Sequence, residues 1–275
     1  MTAIAERAES VFSRERSEYE RDGYFVVRGL LNQEEVGALL TNFDALHAQG
    51  SIPGCFEVPQ EDGTDNAPID PLSRYPRMMH PHRVNNLSRD YMLHPKIASA
   101  LRGLLGEEPL AAQSMFYWKP PGARGQALHQ DNFYLKVHPG TCIAAWIALD
   151  AADRENGGLV IVPGSNHTPV VCPEKADLSQ SFTDHFVRPP EGFEETPLDL
   201  APGDCLFFSG NVIHGSYPNN SPDRFRRAFI CHYVGESAVE MSHWYFPLYG
   251  MEGDVVDRNA SEDGGPCGVE VKGPH

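Results

Sequence analysis

The stretch Gln126-Ala-Leu-His129-Gln-Asp131-Asn-Phe-Tyr134 sets the organisation that we predict for the whole chain. His129 and Asp131 are two residues apart, so at the end of a β-strand their side chains leave the same face and can converge on one point. An imidazole nitrogen and a carboxylate oxygen are two ligands for a first-row metal ion, and the set requires at least one more histidine. Because the chain contains 12 histidines, a His-x-Asp pair also arises by chance, and the motif needs support from elsewhere.

That support comes from His214, which follows an apolar, strand-like run 85 residues after His129. In a jelly roll, strands that are distant in sequence become neighbours, so this separation is compatible with a shared site. Two histidines and one carboxylate on one face of a metal ion form the facial triad of the non-haem iron oxygenases, which leaves three coordination positions open. Taken alone, His214 is better explained as a hydrogen-bonded structural histidine at a strand end.

Arg226 lies 12 residues after His214, at the start of another apolar run. A buried guanidinium is costly unless it pairs with an anion, and no acidic residue follows nearby in this run. Its planar fork suits a carboxylate, so we expect a ligand carboxylate as its partner, with the hydroxyl of Ser216 beside it. The alternative is a solvated basic cluster formed by Arg224, Arg226 and Arg227.

Bulk properties narrow the class of protein and its partners. A hydrophobic fraction of 41% and a charged fraction of 22% over 275 residues are typical of a globular protein. No apolar run is long enough to span a membrane, and the first ten residues lack the features of a secretory signal, so we expect a cytoplasmic protein. The formal net charge of −16 argues against nucleic acid and mildly against a large polyanionic substrate. We expect the protein to bind a small-molecule substrate and, if it is an oligomer, to form a homodimer. We expect it to bind neither nucleic acid nor membranes.

The six cysteines are widely scattered and form no Cys-x-x-Cys pair. We therefore expect all of them to be reduced, as small buried thiols rather than disulfides.

The pattern of apolar runs predicts one mainly β domain over residues 1–275 with flanking helices. Residues 1–110 form a helical and loop part, in which Asn32 caps a helix that ends near Gln49 and a second helix stops at Gly106. From residue 111 to 234, short apolar runs separated by Gly and Pro indicate a β-sandwich or barrel core rather than a doubly wound α/β fold; they fall at 112–119, 127–137, 141–149, 158–162, 204–208, 211–217 and 226–234. Residues 50–76 and the insert at 169–197 are candidate lids, and residues 235–275 are a partly flexible extension.

Six motifs in this order resemble the phytanoyl-CoA dioxygenase (PhyH) family of Fe(II)- and 2-oxoglutarate-dependent oxygenases, from about Asp22 to Val234. They are His129-Gln-Asp131, Trp146-Ile-Ala-Leu-Asp150, Asn156-Gly-Gly-Leu-Val-Ile-Val-Pro-Gly-Ser165, Gly203-Asp-Cys-Leu-Phe-Phe208, His214-Gly-Ser216 and Phe225-Arg226-Arg-Ala-Phe-Ile-Cys-His232. The resemblance specifies the family closely and the substrate much less.

The resemblance implies a double-stranded β-helix core (jelly roll, cupin-like) that binds Fe(II) through His129, Asp131 and His214. The cosubstrate 2-oxoglutarate would chelate the iron and extend its far carboxylate to Arg226, assisted by Ser216. Lys119 and Trp146 would line the cosubstrate pocket, although each could also be an ordinary surface lysine or core tryptophan. O2 would take the remaining position on the iron.

The presence of Asp131 favours hydroxylation, desaturation or ring formation over halogenation, because related halogenases have a small residue in place of the carboxylate. Two other functions remain open: a non-catalytic jelly-roll binding protein, and a zinc hydrolase that uses the same three ligands. Candidate substrate contacts, which could also belong to an ordinary loop and core, are His80, His82, Arg83, Phe116, Phe133 and Tyr134. We expect His138, His167 and His232 to be structural or exposed to solvent.

Overall fold

The computed structural model describes residues 14–57, 70–262, 267–268 and 273–275, and within them it is mainly β. The helices are α1 (residues 14–22), α2 (Gln33–Ala48), α3 (Pro71–Arg74), α4 (Asn86–Met92), α5 (Pro95–Leu105) and α6 (Asn132–Leu135). The strands are β1 (Tyr24–Val27), β2 (Met78–Met79), β3 (Pro109–Tyr117), β4 (Gln126–His129), β5 (Cys142–Ala148), β6 (Leu159–Ile161), β7 (Glu174–Lys175), β8 (His185–Phe186), β9 (Thr196–Pro197), β10 (Cys205–Ser209), β11 (His214–Ser216), β12 (Ala228–Gly235), β13 (Glu240–Met241), β14 (Leu248–Gly250), β15 (Val255–Val256) and β16 (Asn259–Ala260). No helix in these ranges is both long and apolar enough to cross a membrane.

Two sheets form the core, as the apolar runs predict. The larger sheet has the order β1-β10-β5-β12-β3-β14-β15, with β2 also paired to β3, and the smaller sheet has the order β4-β11-β6-β9. Neighbouring core strands are mostly distant in sequence and run antiparallel, which is the topology of a jelly roll. The inner faces of the two sheets pack together through a cluster that includes Trp146, Ile230 and Leu159.

The outer face of the larger sheet is covered by α2, α4 and α5, which bury a second cluster rich in aromatic rings. As predicted, Asn32 caps α2. Its side chain accepts from the Glu35 backbone amide, and the Glu35 side chain accepts from the Asn32 backbone amide, which together form a capping box. The expected stop of α5 is confirmed at Gly106, which adopts the left-handed conformation. The helices therefore cover the outer face of the larger sheet, and its inner face is left to pack on the smaller sheet.

The segment after β12 is more ordered than the sequence suggested. Within residues 251–262, β15 pairs with β14 and β16 pairs with β13, where a loosely held tail was expected. The expectation that all six cysteines are reduced is wrong for Cys172 and Cys267, which form a disulfide. Cys55, Cys142, Cys205 and Cys231 are free and buried, as predicted.

Candidate active site

The pairing of β4 with β11 brings two of the predicted metal ligands together. His129 and His214 are direct partners across the two antiparallel strands, and their ring centroids are 4.3 Å apart. The predicted strand over 127–137 ends at His129, because the chain turns there into the short helix α6. Asp131 occupies the N-cap position of that helix. Its Oδ1 atom lies 3.5 Å from Nε2 of His129 and 3.7 Å from Nε2 of His214. All three side chains are buried.

Backbone carbonyls orient both imidazole rings toward the carboxylate. Nδ1 of His129 lies 2.8 Å from the Ala127 carbonyl oxygen, and Nδ1 of His214 lies 3.1 Å from that of Val212. Each Nδ1–H therefore donates to a carbonyl, which leaves the Nε2 lone pair facing Asp131. Burial lowers the pKa of His214 to about 4 despite the nearby carboxylate, so this ring is neutral and able to bind a metal at pH 7.

The separations of the two imidazoles from Asp131 Oδ1 fit ligands of a single metal ion. Two atoms that each bind one ion at about 2.1 Å are at most about 4.2 Å apart, and both separations from Asp131 Oδ1 lie below that limit. Burial alone would raise the pKa of Asp131, but the imidazoles of His214, His232 and His129 around the carboxylate hold it well below its usual value. The carboxylate is therefore ionised and can act as an anionic ligand.

His232 was expected to be structural or exposed, and its position corrects that expectation. Its Nε2 lies 3.0 Å from Asp131 Oδ2, the oxygen that is not shared with the other two imidazoles. Within the described residues its Nδ1 has no hydrogen-bond partner, so the ring proton belongs on Nε2 and donates to the carboxylate. The alternation of side chains along β12 could have predicted this position. His232 lies on the same face of the strand as Ile230, which points into the core between the sheets.

Arg226 and the other predicted cosubstrate residues line or adjoin the same cavity as the metal donors. Arg226 is buried, donates from Nε to the Gly157 carbonyl oxygen at 3.0 Å, and holds its guanidinium carbon 5.2 Å from the centre of the Trp146 ring. Lys119 donates from Nζ to Ser216 Oγ at 2.8 Å. Burial lowers the pKa of Arg226 to about 10, which still leaves it charged at pH 7.

The three arginines of the cluster have different environments. Arg224 forms ion pairs with Asp153 and Glu155 at the surface, and Arg227 pairs with Asp150. Within the described part of the chain, Arg226 forms no ion pair with a carboxylate; its side chain donates to the Gly157 carbonyl oxygen and lies over the Trp146 ring. The basic-cluster alternative therefore applies to its two neighbours and not to Arg226.

Most of the predicted substrate contacts do not reach the cavity. The prediction for Phe116 is wrong, because its ring stacks on Phe43 at a centroid distance of 3.9 Å on the outer face of β3. Its neighbours Met115 and Tyr117 point into the cavity instead. Arg83 is exposed and donates to the Phe246 carbonyl, and Phe133 is buried in a separate cluster.

The other three predicted substrate residues are buried. His82 hydrogen-bonds through Nδ1 to Ser114 Oγ, and neither His82 nor His80 lines the cavity. Tyr134 is the member of the set that adjoins the metal donors, with its ring centroid 6.3 Å from that of His129.

Two residues that the sequence did not single out complete the cavity, which has a free volume of about 40 Å³. Gln126 lies with Nε2 3.3 Å from Nε2 of His129 and 3.1 Å from Nε2 of His275. The donor atoms of His129, Asp131 and His275 all lie within 4.8 Å of one another. No local pattern marks His275, because its neighbours in space are distant in sequence.

A jelly roll that holds two histidines, an aspartate and an unpaired arginine around one cavity defines the class of Fe(II)- and 2-oxoglutarate-dependent oxygenases. Residues 19–228 match the family described as phytanoyl-CoA dioxygenase (PhyH). The chain therefore belongs to the phytanoyl-CoA dioxygenase family, and it is an Fe(II)- and 2-oxoglutarate-dependent dioxygenase.

Individual relatives agree with this placement. The chain is 29% identical over 165 residues to phytanoyl-CoA dioxygenase 1 of Oryza sativa subsp. japonica, covering 58% of this chain and 57% of that protein. It is 25% identical over 256 residues to the peroxisomal phytanoyl-CoA dioxygenase of Rattus norvegicus, covering 90% of this chain and 74% of that protein. The solved structure of the epimerase SnoN with Fe3+, alpha ketoglutarate and nogalamycin RO is similar in fold, with a TM-score of 0.66 and 24% identity over 84% of this chain and 86% of that one. EctD from S. alaskensis with 2-oxoglutarate and 5-hydroxyectoine has a TM-score of 0.64 and 22% identity over 82% of this chain and 76% of that one.

Proposed function

We propose that this chain hydroxylates, or otherwise oxidises, an unactivated C–H bond of a small-molecule metabolite in specialised metabolism. In this proposal His129, Asp131 and His214 hold Fe(II), while Arg226 binds the far carboxylate of 2-oxoglutarate. When bound, the iron and its cosubstrate supply the oxidation by O2, with release of succinate and CO2. The chain's own residues orient these groups and keep the cavity dry.

The observation that carries the proposal is the unpaired guanidinium of Arg226. A buried charge is normally compensated, and the carboxylates close to its neighbours Arg224 and Arg227 are already in ion pairs with those residues. A dianionic keto acid with one end on the metal and the other on Arg226 would provide the missing charge. Neither a zinc hydrolase nor an empty binding scaffold gives this arginine a partner.

Ser216 and Lys119 support a carboxylate at the same end of the cavity. The Ser216 hydroxyl accepts from Lys119 Nζ, so its own proton is free to donate to a ligand oxygen. Burial and the nearby charge of Arg226 hold the pKa of Lys119 well below its usual value, which a bound anion would reverse. Trp146 covers the guanidinium with its ring face and limits access of water to it.

The region beside the cavity favours a substrate with an anionic or strongly hydrogen-bonding group. A hollow of about 240 Å³ is lined by Arg77, Tyr117 and Lys119, among others, and Tyr117 also lines the metal cavity. Arg77 donates to Tyr117 Oη at 3.3 Å, whereas Arg124, on the same hollow, is paired with Asp70. SnoN and EctD are solved with small organic molecules, which supports a ligand of similar scale here.

We also propose that the insert at 169–197 forms a wall of the substrate region. The Val187 amide of the insert donates to the Leu128 carbonyl oxygen of β4 at 2.7 Å. Nδ1 of His185, also in the insert, lies 2.9 Å from Tyr134 Oη. The predicted lid at 50–76 lies partly outside the described residues, which omit 58–69. A single domain, a homodimer and a cytoplasmic location are kept as proposals, and the Cys172–Cys267 disulfide weighs against the last of these.

The experiment is anaerobic addition of Fe(II) and then 2-oxoglutarate, with detection of the weak visible charge-transfer band of the chelated keto acid. Arg226→Leu should raise the concentration of 2-oxoglutarate needed for the band about 100-fold, because a buried carboxylate loses its cation. Arg224→Leu is the matched control and should leave the titration unchanged, since its ion pairs are at the surface. Well-folded protein that gives no band and releases no succinate would contradict the proposal.

A further inference from the structure

A third imidazole enters the metal site beside the two histidines already described. Nε2 of His275 lies 3.9 Å from Asp131 Oδ1, the same oxygen that lies 3.5 Å from His129 Nε2 and 3.7 Å from His214 Nε2. All three imidazole nitrogens therefore face one carboxylate oxygen at separations that differ by a few tenths of an ångström. Like the other two, His275 is buried.

His275 is held in this position by four separate contacts. Its ring stacks on Tyr134 with centroids 3.8 Å apart and planes within 3° of parallel. Its backbone amide donates to Tyr245 Oη at 3.1 Å, and its carbonyl oxygen accepts from Gln113 Nε2 at 2.8 Å. Nε2 of Gln126 lies 3.1 Å from Nε2 of His275. Backbone and ring are thus both fixed, as expected for a residue with a defined role in the site.

The contact with Gln126 indicates which way the lone pair of His275 points. An amide nitrogen is a donor only, so the imidazole Nε2 that it approaches is the unprotonated nitrogen. That lone pair accepts from Gln126 in the absence of metal, and the same nitrogen lies 3.9 Å from Asp131 Oδ1, where an ion could replace the amide proton as its partner.

We infer that His275 is a fourth protein ligand of the resting metal site. The inference rests on the proposed function, because it concerns the same metal. In this state three imidazoles and one carboxylate hold the ion, in a cavity with a free volume of about 40 Å³. A keto acid needs two positions on the metal and O2 a third, so His275 leaves its position when the cosubstrate and O2 are both to bind. The imidazole thus protects the metal and competes with O2.

The test uses Co(II) as the probe and does not depend on turnover. Anaerobic titration of the full chain, in competition with a chelating dye, gives the affinity for Co(II), and the visible spectrum reports its coordination. His275→Phe keeps a ring that can stack on Tyr134 but removes the nitrogen donor, and His275→Ala removes both. We expect both variants to bind Co(II) at least about tenfold more weakly.

His243→Ala is the control for adventitious binding, since His243 is exposed and its replacement should leave the Co(II) affinity unchanged. If His275→Phe matches wild type in Co(II) affinity and visible spectrum, His275 is not a ligand and the inference is overturned. Asp131→Ala separates this outcome from failure of the proposed function. If Asp131→Ala loses Co(II) while His275→Phe does not, only the role of His275 is wrong; if Asp131→Ala binds Co(II) normally, the metal site itself is wrong.

Discussion

Replacing His232 by leucine should weaken metal binding without removing any metal ligand. His232 Nε2 donates to Asp131 Oδ2 at 3.0 Å, and this bond fixes the carboxylate so that Oδ1 faces the imidazoles. A hydrogen bond to a buried charged group contributes about 1.5–3 kcal/mol, and about 1.4 kcal/mol corresponds to a factor of ten. Without this bond the carboxylate is no longer held in the orientation that metal binding needs. We therefore expect the dissociation constant for Fe(II) or Co(II) to rise about 10- to 100-fold.

The assay is metal titration under anaerobic conditions, by calorimetry or dye competition. His232→Gln places an amide nitrogen near the position of Nε2 and should recover most of the affinity, which a purely steric role would not predict. His80→Leu is the control matched for burial: His80 is equally enclosed, but its ring nitrogens have no partner among the described residues. Metal affinity that is the same in His232→Leu and wild type would refute the idea that this histidine positions Asp131.

Three further outcomes follow from the packing and the buried groups. Phe116→Ala should lower the free energy of unfolding by about 3–5 kcal/mol in urea titrations and leave the KM for substrate unchanged, because the ring packs on the outer face of the sheet. Cys172→Ser should lower it by about 3–4 kcal/mol, since the disulfide closes a long loop with a sequence separation of 95, and reductant should bring wild type to the same value. Burial lowers the pKa of His80 and of His82 to about 3, whereas an unfolded histidine titrates near 6.5. The unfolded state therefore binds protons first, and stability should fall as pH drops from about 6.5 toward 3, by up to about 1.4 kcal/mol per pH unit for each histidine, a slope that His80→Phe should reduce.

The strands of the core could be predicted because each is a short apolar run bounded by turn residues. Cys142–Ala148, Cys205–Ser209 and Ala228–Gly235 lie within two residues of the predicted runs at 141–149, 204–208 and 226–234. The run at 127–137 was misjudged beyond His129, because the apolar residues of α6 fill only one helical turn and show no period that separates helix from strand.

The candidate site was predicted where a motif was local and missed where it was not. His129, Asp131, His214 and Arg226 belong to stretches whose composition and order carry information, and the structure brings all four to one cavity. His232 could also have been predicted from its alternation with Ile230 along β12. By contrast, no spacing rule gives the partner of a lone histidine or the pairing of two distant cysteines, since both depend on how segments meet in space. His275 and the Cys172–Cys267 disulfide therefore required the structure.

The net charge of −16 does not describe the electrostatics of the site itself. Most acidic residues in the described ranges are not buried, and some of them form ion pairs with Arg224 and Arg227. Among the residues that line the cavity, Asp131 is the one carboxylate, and it faces imidazoles and a metal site. Arg226 is in the same cavity without a counter-charge, so the local field there favours anions although the whole chain is acidic. In a low-dielectric cavity the nearby charges outweigh the distant ones, which water and salt screen. Bulk charge thus says little about whether the metabolite, like the proposed cosubstrate, is an anion, and Arg77 in the neighbouring hollow is the better guide.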